Sequence, residues 1–180
     1  QVAGNDELVD RCRRLGLLEK QAEVLRNRIV IPILDAERAP TGFVGVSVSS
    51  RANERVKIVG QTEVFNAPYL KNTDEIVLVD SPLFALFLIQ LGFDNTTVAL
   101  GNNAALVGFA KKNDIKEVIF SFDGKERLFY ELSSAGIKTA RRIIEFDRHI
   151  ESPDVEEIRS ALAGVEAAEE KSSDTIQAIE

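Results

Sequence analysis

From Glu75 to Phe146 the chain alternates short β-branched runs with apolar helical stretches, and few architectures accept that rhythm. The strands read as IVLVD (76–80), TTVAL (96–100), EVIFSF (117–122) and ARRIIEF (140–146). Between them lie helical stretches at about 82–91, 103–112 and 125–135. Strands separated by a helix cannot close as hairpins and must pair in parallel through crossovers. The expectation is an α/β fold with a parallel sheet flanked by helices. Chemistry in such sheets gathers at the carboxyl edge of the strands.

The first seventy residues follow another pattern. Asp6 to Leu25 has helical spacing, with Leu8, Val9, Cys12, Leu15 and Leu18 on one side and a break near Gly16, which predicts one or two short helices. RIVIPIL (28–34) and GFVGVSVS (42–49), separated by a turn at Ala39-Pro40, predict an antiparallel pair, and 56–59 a further short strand. A helix is expected from Glu156 to about Glu170. The predicted division is an α+β subdomain with a short antiparallel hairpin over 1–70, an α/β domain over 71–155, and a C-terminal helix with an acidic tail over 156–180.

At 180 residues and 44% hydrophobic content the chain can bury a full core. The single cysteine, Cys12, rules out an intrachain disulfide and a Cys-rich zinc site, which suits a cytoplasmic address. There is no apolar run of bilayer-spanning length and no signal peptide, so no membrane partner is expected. A chain that opens on Gln1 and holds no Met is expected to be a fragment or a processed product. The net charge of −7 belongs to the tail: nine acids against Arg159 and Lys171 from Glu151 onward, with residues 1–150 balanced. That balance argues against strong nonspecific nucleic-acid affinity, while a local basic patch stays open.

Asp80 ends the first strand of the alternating region and Asp123 the third, which invites a shared cation at one sheet edge. Aspartate at such a junction is also an ordinary helix N-cap, and for either residue alone that is the stronger reading. An Asp-Gly-Asp at 123–125 would offer a hard cation two carboxylates; Asp123-Gly124-Lys125 offers one and an ammonium beside it. His149, the sole histidine, has no second His or Cys nearby in sequence, so zinc is not expected. The Gly101-Asn102-Asn103 turn reads as a helix start, and Arg141-Arg142 as flanking charges.

In order along the chain, these residues resemble the Toprim module of bacterial DnaG-type primases with its upstream subdomain. LVDSPLFALFLIQLGF (78–93) resembles the family's strand, Glu-Gly turn and helix; Leu100-Gly101 resembles its Leu-Gly turn and SFDG (121–124) its Asp-Gly turn. RNRIVIPILD (26–35) and the Gly42-Phe43 to Gly45 run are similar to its Arg-x-Arg lead-in, Phe-Pro-Ile strand and Gly-Phe-Gly-Gly hairpin. Lys57 to Phe65 is similar only loosely to its Lys-Tyr-Leu-Asn segment, and Ser152-Pro153-Asp154 resembles its closing Asp-Pro-Asp. The likeness covers about residues 8–158, and its specificity lies in the ordered series.

The resemblance implies a Toprim-like fold and carboxylates that hold divalent metals for nucleotidyl transfer. Here Asp80 stands for the family's Glu, Ser81 for its Gly, Phe84 for the helix Asp and Lys125 for the second Asp of the pair, while His149 and Ser152 fall near later acids. Asp80, Asp123 and Asp154 remain. At most a weak Mg²⁺ or Mn²⁺ site at Asp80 and Asp123 is expected, and no other cofactor. Phe84 within LFALFLIQL predicts a helix more buried than a catalytic one, with apolar surface to spare for a partner. For nucleic acid, the resemblance points to Arg26 and Arg28, with Lys57 and Lys125 assisting. The leading expectation is a replication-related protein, catalytically impaired, that binds DNA, RNA or a replication protein. An active primase-type nucleotidyl transferase is the first alternative; a structural module of a larger assembly is the second.

Overall fold

The structure, a computed structural model, describes residues 6–19, 22–35, 37–49, 54–61, 64–144 and 155–163. It opens with α1 (Asp6–Arg14) and a minimal antiparallel ribbon, β1 (Leu18–Glu19) and β2 (Ala22–Glu23). Helical spacing thus ends where expected, near Gly16 (φ 71), but the stretch after it pairs as a ribbon instead of forming a second helix. That glycine sits in the left-handed region, which stops the helix and reverses the chain.

Next comes an antiparallel sheet in the order β3 (Arg28–Leu34), β4 (Pro40–Ser47), β5 (Val56–Gly60). Two glycines make the central strand possible. A Cβ on Gly42 would lie 2.6 Å from the Gln61 carbonyl oxygen and 2.8 Å from that of Val59. On Gly45 it would lie 2.6 Å from Leu25 Cδ2 and 2.8 Å from Arg28 Cδ. Pro32, paired with Phe43, lies mid-way along the edge strand β3.

After the short helix α2 (Ala67–Leu70), the alternating region forms β6 (Glu75–Val79), α3 (Pro82–Gln90), β7 (Thr96–Val98), α4 (Asn103–Lys112), β8 (Glu117–Phe120), α5 (Glu126–Ser134) and β9 (Lys138–Arg141). Its four strands are all parallel, in the order β7-β6-β8-β9. The expected α/β architecture is therefore present, with the antiparallel hairpin before it. The last strand starts and ends earlier than the run 140–146 suggested. Gly136 (φ 82) turns the chain straight out of α5, and pairing begins at Glu117↔Lys138, leaving 142–144 beyond the sheet. The helix α6 (Val155–Ala163) completes the described fold, and the rest of the expected helix to Glu170 lies outside the described residues.

Both faces of the parallel sheet are covered, as such sheets require. On one face Val77, Val79 and Ile119 meet Ile31, Ile33, Val44 and Val46 of the antiparallel sheet, Ala85 and Leu88 of α3, and Ile158 and Leu162 of α6. On the other, Ile76, Leu78, Val118 and Phe120 meet Leu106 and Ala110 of α4 and Leu128 and Leu132 of α5. Alternate residues of one strand thus serve two cores. No helix among the described residues is long and apolar enough to cross a membrane.

Candidate functional site at the sheet edge

Strand order decides where the site falls. From β6 the chain crosses to β7 with α3 on one face, then returns past β6 to β8 with α4 on the other. The carboxyl ends of β6 and β8 therefore diverge to opposite faces, which opens a crevice between them. Asp80 follows β6 and Asp123 follows β8 by three residues. The strands are hydrogen-bonded neighbours, about 4.8 Å apart. Beneath the two acids, buried Ser121 donates from its backbone N–H (3.0 Å) and its hydroxyl (3.2 Å) to the Leu78 carbonyl, which pins the strand ends together.

Neither aspartate caps a helix, contrary to the commonest role of the residue at such junctions. Ser81 caps α3, its hydroxyl accepting from the Phe84 N–H at 3.5 Å, with Pro82 in the first turn where its missing N–H costs nothing. At α5 the cap position is held by Lys125 in the left-handed region (φ 59), directly after Gly124 (φ 95), and no side chain caps the helix. Both aspartates are exposed and line one cleft. Asn102 caps α4 by accepting from the Ala105 N–H at 3.1 Å, as the sequence suggested for this turn.

The surroundings of Asp123 were not foreseen. Arg141, at the end of β9, places Nη1 3.8 Å from Asp123 Oδ1 and Nη2 3.4 Å from Glu126 Oε1, with its guanidinium 5.2 Å above the Phe129 ring. Arg141 is therefore more than a flanking charge: its guanidinium lies between two exposed acids at the sheet edge. Arg142 runs the other way, to Glu117 (3.6 Å) and to the Leu162 carbonyl at the end of α6.

Phe84 is half-buried and stacks on Phe87, ring centroids 6.3 Å apart. The α3 helix is less enclosed than its apolar sequence suggested. Pro82, Ala85 and Leu88 are buried, but Leu83 and Leu86 remain 41% and 40% exposed, because only one side of the helix meets the core. Together with Val46, Val56, Phe122 and Ile144, the two rings line a cleft of about 910 Å³ that also holds Asp80 and Asp123. The basic residue lining it, among the described residues, is Arg55, which sequence reasoning passed over. Its only signal was position, one residue before β5 and next to the Val46↔Val56 pair.

The other candidates sit elsewhere. Arg28 turns its guanidinium inward and donates to the carbonyls of Glu54 (2.9 Å), Gly45 and Arg55 (both 3.2 Å), so it braces the antiparallel sheet. Arg26 is exposed before β3, and Lys57 is half-buried on β5 opposite Gly45. Neither lines the cleft, nor does Lys125. Asp154, His149 and Ser152 lie outside the described residues. Among the described residues no three His, Cys, Asp or Glu side chains group as metal ligands. Asp80 and Asp123 are the two carboxylates that line the cleft among the described residues.

A four-stranded parallel sheet with helices on both faces, acids at its switch point and an antiparallel sheet packed in front defines a Toprim-like primase fold. Solved structures bear this out. The chain aligns with the Aquifex aeolicus primase (zinc-binding and RNA polymerase domains) at a TM-score of 0.68 and 18% identity, covering 89% of this chain and 49% of that one. A DNA primase domain from Pseudomonas aeruginosa gives 0.69 and 16% over 90% and 60%. A DnaG primase catalytic domain bound to ssDNA gives 0.67 and 15% over 91% and 63%. At these identities the likeness is one of fold, and the chain spans about half to under two thirds of those proteins. No protein-family model and no curated protein sequence matches the chain.

Proposed function

We propose that this chain is a degenerate DnaG-like Toprim protein, replication-related, that has lost metal-dependent nucleotidyl transfer and acts by binding nucleic acid or protein. The reading is supported by the resemblance, which sets Phe84 and Lys125 where the family has carboxylates, and by one observation, Arg141 Nη1 lying 3.8 Å from Asp123 Oδ1. A polymerase needs several positive charges on the triphosphate, supplied by ions that its own acids hold. On this reading Lys125 and Arg141 supply side-chain cations near this edge, and Phe84 adds apolar surface in place of a ligand.

Mn²⁺ titration, read as paramagnetic broadening of amide signals, tests this. The native chain should show no broadening centred on Asp80 and Asp123, and the Phe84→Asp, Lys125→Asp double variant should gain it. Broadening there in the native chain, or none in a folded double variant, overturns the proposal.

A second reading, an active primase-type transferase, draws support from the one cleft shared by Asp80 and Asp123. It requires template-directed primer synthesis that disappears in Asp123→Asn. Synthesis unchanged by that substitution would exclude this site.

A further inference from the structure

We propose that Asp123 is a site of spontaneous covalent modification: its side chain closes onto the Gly124 amide to form a succinimide, which opens to isoaspartate. The inference is independent of the binding role proposed above, since it concerns the chemistry of the acid itself and needs no partner.

The sequence singles out this position. Asp123 is the one aspartate in the chain that a glycine follows, and no asparagine in it precedes glycine. Ring closure brings the backbone nitrogen of the next residue onto the side-chain carboxyl carbon. A side chain on that next residue obstructs the approach, and glycine has none. Asp80, at the same sheet edge, is followed instead by Ser81, whose hydroxyl accepts from the Phe84 N–H at the start of α3.

The fold leaves both reacting groups accessible. Asp123 lies three residues beyond the end of β8, outside the sheet ladder, with its side chain 77% exposed. Among the described residues its carboxylate accepts no hydrogen bond, and its contact with Arg141 is a long ion pair of 3.8 Å. The Gly124 N–H likewise donates to no partner among the described residues, so no hydrogen bond has to break for that nitrogen to react. A Cβ built on Gly124 would meet nothing within 4 Å, which leaves the turn room to move. Asp35 shows the opposite arrangement. Its Oδ1 accepts from the backbone N–H groups of Glu37 (2.9 Å) and Ala39 (2.8 Å), which tie the carboxylate to its own loop.

The reaction balances without any co-reactant but water. A bond forms between the Gly124 nitrogen and Asp123 Cγ, and a Cγ–O bond breaks. The carboxyl hydroxyl leaves with the amide proton as water. Water then adds to one of the two ring carbonyls. Opening at the side-chain carbonyl returns aspartate. Opening at the main-chain carbonyl breaks the original peptide bond and leaves the chain running through Cβ and Cγ, with the free carboxylate on Cα. The product has the mass of the native chain, a main chain longer by one carbon and a carboxylate drawn back from Arg141.

The test is prolonged incubation of the native chain at body temperature in mildly acidic buffer, beside a sample unfolded in urea. Isoaspartate is then counted with an isoaspartyl methyltransferase and a radiolabelled methyl donor, and located by peptide mapping with electron-transfer fragmentation. Label should accumulate with time in the folded chain, at residue 123, alongside a minor species lighter by one water. Asp123→Glu, whose closure would need a larger ring, should lose the signal while keeping its thermal midpoint. Label that forms in the unfolded sample alone would overturn the proposal, because the folded turn would then prevent closure. Label that maps to another aspartate in the folded chain, or that persists in Asp123→Glu, would overturn it as well.

Discussion

The junction from β6 to α3 and the junction from β8 to α5 leave neighbouring strands and lead into helices of nine residues each. The first has the ordinary signals of a stable helix start: Ser81 as cap, then proline. The second has no side-chain cap and places a lysine in the left-handed region after a left-handed glycine. For a residue with a Cβ that conformation costs about 1–2 kcal/mol. Stability does not account for the sequence of the second junction. Its left-handed turn leaves Asp123 exposed at the sheet edge, beside Arg141. The first junction is capped by a side chain; the second holds left-handed strain.

Several substitutions sharpen or break this contrast. The helices themselves should be anchored alike, since Leu88 of α3 and Leu132 of α5 are both fully buried. Leu88→Ala and Leu132→Ala should each lower unfolding free energy by about 2–5 kcal/mol in denaturant titrations. A far smaller loss at one of them would mean the difference lies in the helices and not in their starts. Gly124→Ala should cost about 1–2 kcal/mol through its backbone alone, because nothing lies within 4 Å of the added methyl group. No shift in the denaturation midpoint would remove the strain from the second junction. Ser81→Ala should cost about 0.5–1 kcal/mol, the lower part of the usual cap range, because its hydrogen bond is long at 3.5 Å.

Lys125→Gly should have the opposite sign. It relieves left-handed strain but loosens the unfolded chain, for a net gain of about 0.5 kcal/mol. A loss of stability would show that the lysine side chain holds the junction. The smallest effect concerns Glu131, whose carboxyl is held below its usual range, first by the hydrogen bond from Arg127 and also by one from Asn103. A depressed folded pKa stabilises the fold above the unfolded carboxylate value, and the gain disappears as pH falls through the folded one. Thermal midpoints of the native chain and Glu131→Gln should therefore converge below the ordinary carboxylate range.

The parallel sheet was legible because its strands are buried on both faces and read as continuous β-branched runs between helical stretches. The position of Asp80 and Asp123 at one edge followed from that pattern alone. Gly42 and Gly45 were legible as a hairpin signature, and the reason is now physical: carbonyls and side chains crowd both Cα atoms. Arg141 was not legible. Its relation to Asp123 exists only because β9 pairs in parallel with β8 in the register Phe120↔Arg141, which sets the end of one strand beside the loop leaving the other. A strand boundary drawn two residues late, at 140 instead of Lys138, hides that register. Arg28 shows the reverse limit, because a basic residue before a strand reads as available until the carbonyls around it are seen. The ribbon at Leu18 to Glu23 was hidden because so short a pairing leaves no periodicity to read.

Pro32 has a bearing on how the molecule fares in company. The strand β3 is an outer strand of seven residues, with Ile29 and Val30 45% and 46% exposed, the kind of border onto which a foreign chain can zip. A proline seated within a paired strand must turn its nitrogen toward the open side, where it has no hydrogen to offer. The border is therefore interrupted at its midpoint, and a neighbouring chain finds no unbroken row of donors along which to spread.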